Sequence, residues 1–153
     1  MTKIDPSKLQ YKLGTPDLVR DSLFSIEIES FPADEAASLE GMVMRVSSIK
    51  NFFLVCSDLT SGPDGPVVGF VNGTRTSSDE LSHHAMDHHE PDGDVLVIQS
   101  VTVAPAYRRR GIATAMLKHY MRYVQQERQE VRAALLICKE HLIDFYASCG
   151  FAF

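Results

Sequence analysis

The chain has 153 residues and a mass of 17.0 kDa, the size of one domain. Its 44% hydrophobic and 23% charged residues exclude a disordered or fibrous chain, and its longest apolar runs fall well short of the ~20 residues that span a bilayer. The net charge of −5 is unevenly divided: residues 1–100 carry 7 Lys/Arg against 16 Asp/Glu, and residues 101–153 carry 8 against 4.

In chain order, Gln10–Leu13 reads as a first strand. Thr15-Pro16-Asp17 supplies a cap and an early proline for a helix running to about Ser30. Phe31-Pro32 ends it, and Asp34 is the expected cap of a second helix, in which Ala36, Leu39, Val43 and Val46 recur at helical spacing. Phe52–Cys56 and Val67–Val71 flank the turn Ser61-Gly62-Pro63-Asp64-Gly65-Pro66 and read as a hairpin. Residues 74–94 are polar and read as a long surface loop. Val95–Val103 is the strongest strand, rich in β-branched residues. Gly111–Glu127 is the strongest helix, with Ala113, Met116, Leu117, Tyr120 and Val124 on one face. Ala133–Cys138 is a further strand, and His141–Cys149 a short helix closed by Gly150. The order β-α-α-β-β-β-α-β-α makes a single α/β domain over residues 1–153.

Net acidity argues against a nucleic-acid partner, which calls for a basic stripe. Ile4-Asp5-Pro6-Ser7 interrupts any signal-peptide core, so a cytoplasmic domain without membrane contact is expected. Cys56, Cys138 and Cys149 show no CxxC or Cys/His zinc spacing and are expected to be reduced thiols. The loop histidines His83, His84, His88 and His89, with Asp87 and Glu90 nearby, have the donor types of a transition-metal site. A polar loop rarely preorganises ligands, so a solvated loop is the expected state and no metal is assigned; a substrate lid titrating near pH 6.5 is a further reading.

The stretch Val101–Thr114, VTVAPAYRRRGIAT, carries the chemistry. A strand ends at Val103, Pro105 stops it, and Arg108-Arg109-Arg110-Gly111-Ile112-Ala113 opens a helix. Unpaired N–H groups at a helix start, with the helix dipole, attract an anion. Gly111 and Ala113 lack bulk, so a diphosphate-sized ligand can approach the main chain. The alternative is an ordinary βα turn with a solvated basic cluster.

The pattern Arg-x-x-Gly-x-Ala after a β-branched strand resembles the acyl-CoA signature of the GNAT superfamily of N-acyltransferases. Downstream, Leu142-Ile143-Asp144-Phe145-Tyr146-Ala147-Ser148-Cys149-Gly150-Phe151 resembles that superfamily's second conserved segment. Glu27-Ile28-Glu29-Ser30-Phe31-Pro32, Pro91-Asp92-Gly93 and Ala133–Cys138 are similar to segments of the arylalkylamine N-acetyltransferases, the serotonin-acetylating type.

The resemblance implies a mixed, mostly antiparallel sheet with a central splayed parallel pair and flanking helices. It implies acetyl-CoA as cosubstrate, no metal, and a small-molecule amine as acceptor. Val101, Thr102 and Val103 match the strand that pairs with the pantetheine arm. Arg108, Arg109, Arg110, Gly111, Ile112, Ala113 and Thr114 match the diphosphate loop. Tyr146 matches the tyrosine near the CoA sulfur, a proton donor to the leaving thiolate; read from the residues alone, it is a core aromatic beside Phe145 and Phe151. Phe31, Pro32 and Ile137 match positions lining the amine pocket. The vertebrate enzymes carry two histidines where this chain has Val97 and Gln99, so the amine's proton must leave by another route: Glu27 or Glu29 through water, the loop histidines, or solvent.

The superfamily chain continues through two further strands after its glycine-phenylalanine pair. Because this chain stops at Phe153, those strands are expected to be missing, and the edge of Ala133–Cys138 to be unpaired. The chain is therefore expected to be part of a longer protein, or to be covered there by another chain, as a monomer or an edge-to-edge dimer. Two further readings are a CoA-binding sensor without turnover and a protein N-acetyltransferase.

Overall fold

Strands and helices follow one another in the expected alternation in the computed structural model, which describes residues 2–77 and 88–153. β1 (Leu9–Leu13) leads into α1 (Pro16–Leu18), a π-helical turn (Val19–Leu23) and α2 (Phe24–Ser30) without a break. Thr15 caps this run, its hydroxyl accepting from the Leu18 N–H at 3.1 Å. The π turn buries both Val19 and Leu23 completely.

α3 (Leu39–Ile49) starts later than its apolar spacing predicts, and its cap is Ser38, not Asp34. The Ser38 hydroxyl accepts from the Gly41 N–H at 3.0 Å. The reason is upstream: Glu35 and Ala36 donate their N–H groups to the Pro32 carbonyl, and the Ala37 N–H is taken by the Glu27 carboxylate at 2.9 Å. Those bonds hold residues 32–37 in a turn, so Ala36 lies outside the helix.

β2 (Phe53–Asp58), β3 (Val67–Thr76), β4 (Val95–Val103) and β5 (Ala133–Leu136) complete one sheet, in spatial order β1-β2-β3-β4-β5. The first three pairings are antiparallel; β4 and β5 are parallel. The sheet is thus mixed and mostly antiparallel, with one parallel pair. β3 runs five residues beyond the expected end at Val71 into what reads as loop. Thr74 and Thr76 are buried there, and Arg75 donates from Nε to the Gly93 carbonyl at 2.6 Å.

α4 (Ile112–Glu127) covers one face of the sheet and α2 and α3 the other: Gly69 of β3 meets Met116 of α4, while the adjacent Phe70 lines a cavity against Met42 of α3. Tyr120 of α4 is wholly buried, with its hydroxyl donating to the Phe52 carbonyl at 2.8 Å. α5 (Ile143–Ser148) follows β5. Gly150 ends it with φ +100°, and the Tyr146 carbonyl accepts from the Phe151 N–H at 3.1 Å. Among the described residues, no helix is long and apolar enough to cross a membrane.

Candidate active site

β4 is held on its two sides over different lengths. It pairs with β3 from Val95 to Val103, but with β5 only from Val95 to Ile98. β5 itself ends at Leu136, two residues before the expected Cys138. From Gln99 to Val103, β4 therefore has no β5 partner among the described residues, as in a splayed pair. A bulge marks the departure: Asn72 faces Ser100 while Gly73 faces Ile98, so Gln99 is the extra residue.

Val101, Thr102 and Val103 lie in this stretch, and the phosphate-loop candidates follow directly. The Arg108 Nε folds back to donate to the Val103 carbonyl at 3.1 Å. Arg109 has φ +65°, a left-handed conformation rare for a residue with a side chain, and Gly111 has φ +82°. Gly111 is also the N-cap of α4 and brings no side-chain bond to it. The first backbone bond of the helix runs from the Ala115 N–H to the Gly111 carbonyl at 3.1 Å. The amides of Ile112, Ala113 and Thr114 thus have no backbone acceptor among the described residues, and the helix dipole adds positive potential there. Ile112 is buried and anchors the turn, while Arg108 and Arg109 are exposed beside it. A cavity of about 280 Å³ lies against Val103, Arg108, Arg109, Gly111, Ala113 and Phe145. This donor set fits a diphosphate.

On the other face, a cavity of about 410 Å³ opens at the bulge, where Gln99 and Ser100 line it with Phe31, Phe70, Asn72 and Glu27. Phe31, expected to line an amine pocket, lines this cavity. Pro32 is exposed and anchors the turn after α2, outside this cavity's lining. Ile137 is 62% exposed and lines a separate cavity between β5 and α5. Glu27 is buried with its carboxylate on the Ala37 N–H, whereas Glu29 is exposed. Of the charged and amide side chains in this lining, Glu35, Arg45 and Asn72 were not anticipated from sequence. Asn72 is 2% exposed, and its amide oxygen has no hydrogen-bond partner among the described residues.

Tyr146 lines the β5–α5 cavity of about 340 Å³, not the one at the helix turn, which its neighbour Phe145 lines. It packs edge-on against Phe145 and Phe151, with ring centroids 4.9 and 6.0 Å away. Burial first, then the nearby Cys138 and Cys149, raise its phenol above the ordinary tyrosine range. The alternate-strand positions are inert as bases: Val97 is fully buried, and the Gln99 amide donates to the Thr74 hydroxyl at 2.9 Å. Of the loop histidines, His83 and His84 lie outside the described residues, as does Asp87. His89 accepts from the Arg75 N–H through Nδ1 at 3.0 Å.

A sequence model of the acetyltransferase (GNAT) family matches residues 20–151. The chain belongs to that family. This GNAT domain is 27% identical over 133 residues to the serotonin N-acetyltransferase of Mesocricetus auratus, covering 85% of this chain and 61% of that protein. It spans about three fifths of the length of the curated relatives it matches. Among solved structures, it is similar to the GphF GNAT-like decarboxylase in complex with isobutyryl-CoA, with a TM-score of 0.71, 18% identity, and coverage of 94% of this chain and 72% of that one. It is also similar to AAC(6′)-Iy in complex with a bisubstrate analogue, with a TM-score of 0.64, 13% identity, and coverage of 95% and 91%. At these identities the structural matches bear on the fold.

Proposed function

We propose that this GNAT domain transfers the acetyl group of acetyl-CoA to a primary amine by direct attack on the thioester. The observation that carries the reading is the departure of β5 from β4 after Ile98. It leaves one stretch of β4 running from the amine-side cavity at Gln99 and Ser100 to the phosphate-side cavity at Val103. The helix-turn amides and the side chains of Arg108 and Arg109, which line the cavity at that turn, hold the donor's diphosphate, while Arg110 lines the neighbouring cleft. Backbone groups of Val101, Thr102 and Val103 pair with its extended arm as an added strand would. A β4 amide from the same stretch faces the carbonyl oxygen as negative charge develops; such a donor contributes on the order of 3–4 kcal/mol.

An acceptor ammonium with a pKa of about 10 must first lose its proton. Glu27 takes it in this reading, supported by its burial in the cavity wall, whereas Glu29 is exposed. Phe31 and Phe70 provide an apolar wall for the amine's carbon skeleton, and the acidic first hundred residues favour a cationic acceptor. Tyr146, a phenol and so protonated at neutral pH, supplies the proton to the departing thiolate. An arylalkylamine or a polyamine is the acceptor class that these walls fit.

A second reading is binding of CoA without turnover, favoured by Val97, a buried aliphatic residue where the vertebrate relay has a histidine. Thermal melting tests the shared premise. Acetyl-CoA is expected to raise the melting temperature, and Arg109→Ala to remove most of the rise; no shift at millimolar acetyl-CoA overturns both readings.

A further inference from the structure

A second cationic site lies between the N-terminal segment and α4. Here a cleft of about 550 Å³ is lined by Lys3, Arg110, Lys118, His119 and Arg122, and its wall contains no carboxylate. Among the described residues, Lys3, Lys118 and Arg122 make no ion pair and no hydrogen bond through their side chains. Lys118 and Arg122 stand one turn apart on α4, a like-charge spacing that weakens a helix. Together they concentrate positive charge within a protein of net charge −5, which draws an anion to this cleft.

The cleft is also built rather than frayed. The Ile4 N–H donates to the Arg110 carbonyl at 2.8 Å, and the Arg110 Nε returns a bond to the Thr2 carbonyl at 3.2 Å. Tyr11 and His119 stack in parallel with ring centroids 3.7 Å apart and form a flat wall. The Lys3 side chain crosses over Gly111, its Cδ 3.5 Å from where a Cβ would stand.

We infer that this cleft binds the phosphate groups of a small organic phosphate between Lys3, Arg110, Lys118 and Arg122. Lys118, His119 and Arg122 line neither cavity used in the proposed reaction. Lys3, Gly111 and Thr114 line both this cleft and the cavity at the helix turn, so occupancy of one changes affinity at the other. The ligand inferred is a separate metabolite, distinct from the CoA donor whose diphosphate is assigned to the helix turn.

The test is thermal melting with inorganic tripolyphosphate, run with and without saturating CoA, on the intact chain and on Lys118→Gln/Arg122→Gln. Both substituted side chains are exposed. A rise in melting temperature that persists with CoA and is lost in the double variant supports a separate ligand. Affinity should fall on the order of tenfold for each cation removed. A rise seen only without CoA, or one that survives in the double variant, assigns the anion to the donor's own loop and overturns the inference. Unchanged melting with tripolyphosphate likewise overturns it. Absence of any CoA shift would instead count against the acetyltransfer reading, while the tripolyphosphate arm without CoA still decides this one.

Discussion

Ile98 on β4 and Leu136 on β5 are the last residues joined across the parallel pair. One residue further along β4 the bulge at Gln99 begins, so the strand changes register with β3 at the point where it loses β5. The bulge rests on a close approach. A Cβ on Gly73 would stand 2.7 Å from Leu96 Cδ1 and 2.8 Å from the Val97 carbonyl oxygen. Gly73→Ala is expected to destabilise the fold by about 1–3 kcal/mol, as overpacking does, and to weaken acetyl-CoA binding by shifting β4. Denaturant melts with and without acetyl-CoA measure both effects.

Arg109 carries a left-handed backbone, which costs a non-glycine residue on the order of 1–2 kcal/mol. Arg109→Gly is therefore expected to raise the melting temperature of the unliganded protein while raising the KM for acetyl-CoA. A variant that lost both stability and affinity would show that the side chain braces the turn.

Tyr146→Phe keeps the ring packing against Phe145 and Phe151 and removes only the hydroxyl. If the phenol protonates the thiolate, kcat falls by about 10²-fold or more while the KM for acetyl-CoA stays near the parent value. Steady-state kinetics with acetyl-CoA as the varied substrate make the distinction.

Glu27 and Glu29 sit two residues apart in α2, one buried in the cavity wall and one in solvent. Glu27→Gln is expected to leave a rate that climbs with pH as the amine's own neutral fraction grows. Glu29→Gln should retain the parent profile. Equal profiles for the two variants would remove Glu27 from the proton's path.

Stability should fall on the acid side of neutrality. Burial first, then Arg75, lowers the pKa of His89; burial first, then Arg122, lowers that of His119. Each folded pKa lies below the unfolded value of about 6.5, so the unfolded chain binds more protons in that window. The stabilisation is complete above about pH 6.5 and is lost as pH drops toward the folded values. His89→Asn keeps an acceptor for the Arg75 N–H without a titrating ring, and melting temperatures between about pH 5 and 8 should decline less steeply in it.

The parts legible in the sequence were those written in one contiguous stretch. Val95–Val103 is nine residues with both ends read correctly, because β-branched residues run unbroken to Pro105. The turn through Gly111 likewise announces itself locally. The cavity at the bulge does not: Glu27, Glu35, Arg45, Asn72 and Gln99 come from α2, the following turn, α3, β3 and β4, and only packing brings them together. Asp34 was a plausible cap by residue type. It lost to Ser38 because a buried carboxylate ten residues upstream of Ala37 held the intervening chain in a turn. Lys3 was invisible for the same reason, since its place over Gly111 depends on bonds between Thr2–Ile4 and Arg110.

The central claim is transfer of an acetyl group, and release of the CoA thiol measures it most directly. The protein is mixed with acetyl-CoA and a panel of arylalkylamines and polyamines, and free thiol is followed with a thiol-reactive dye. The account predicts saturable release with at least one amine, matched by acetylated product in the mass spectrum and strongly reduced in Tyr146→Phe. Tight binding of acetyl-CoA with no release above background for any amine would contradict it.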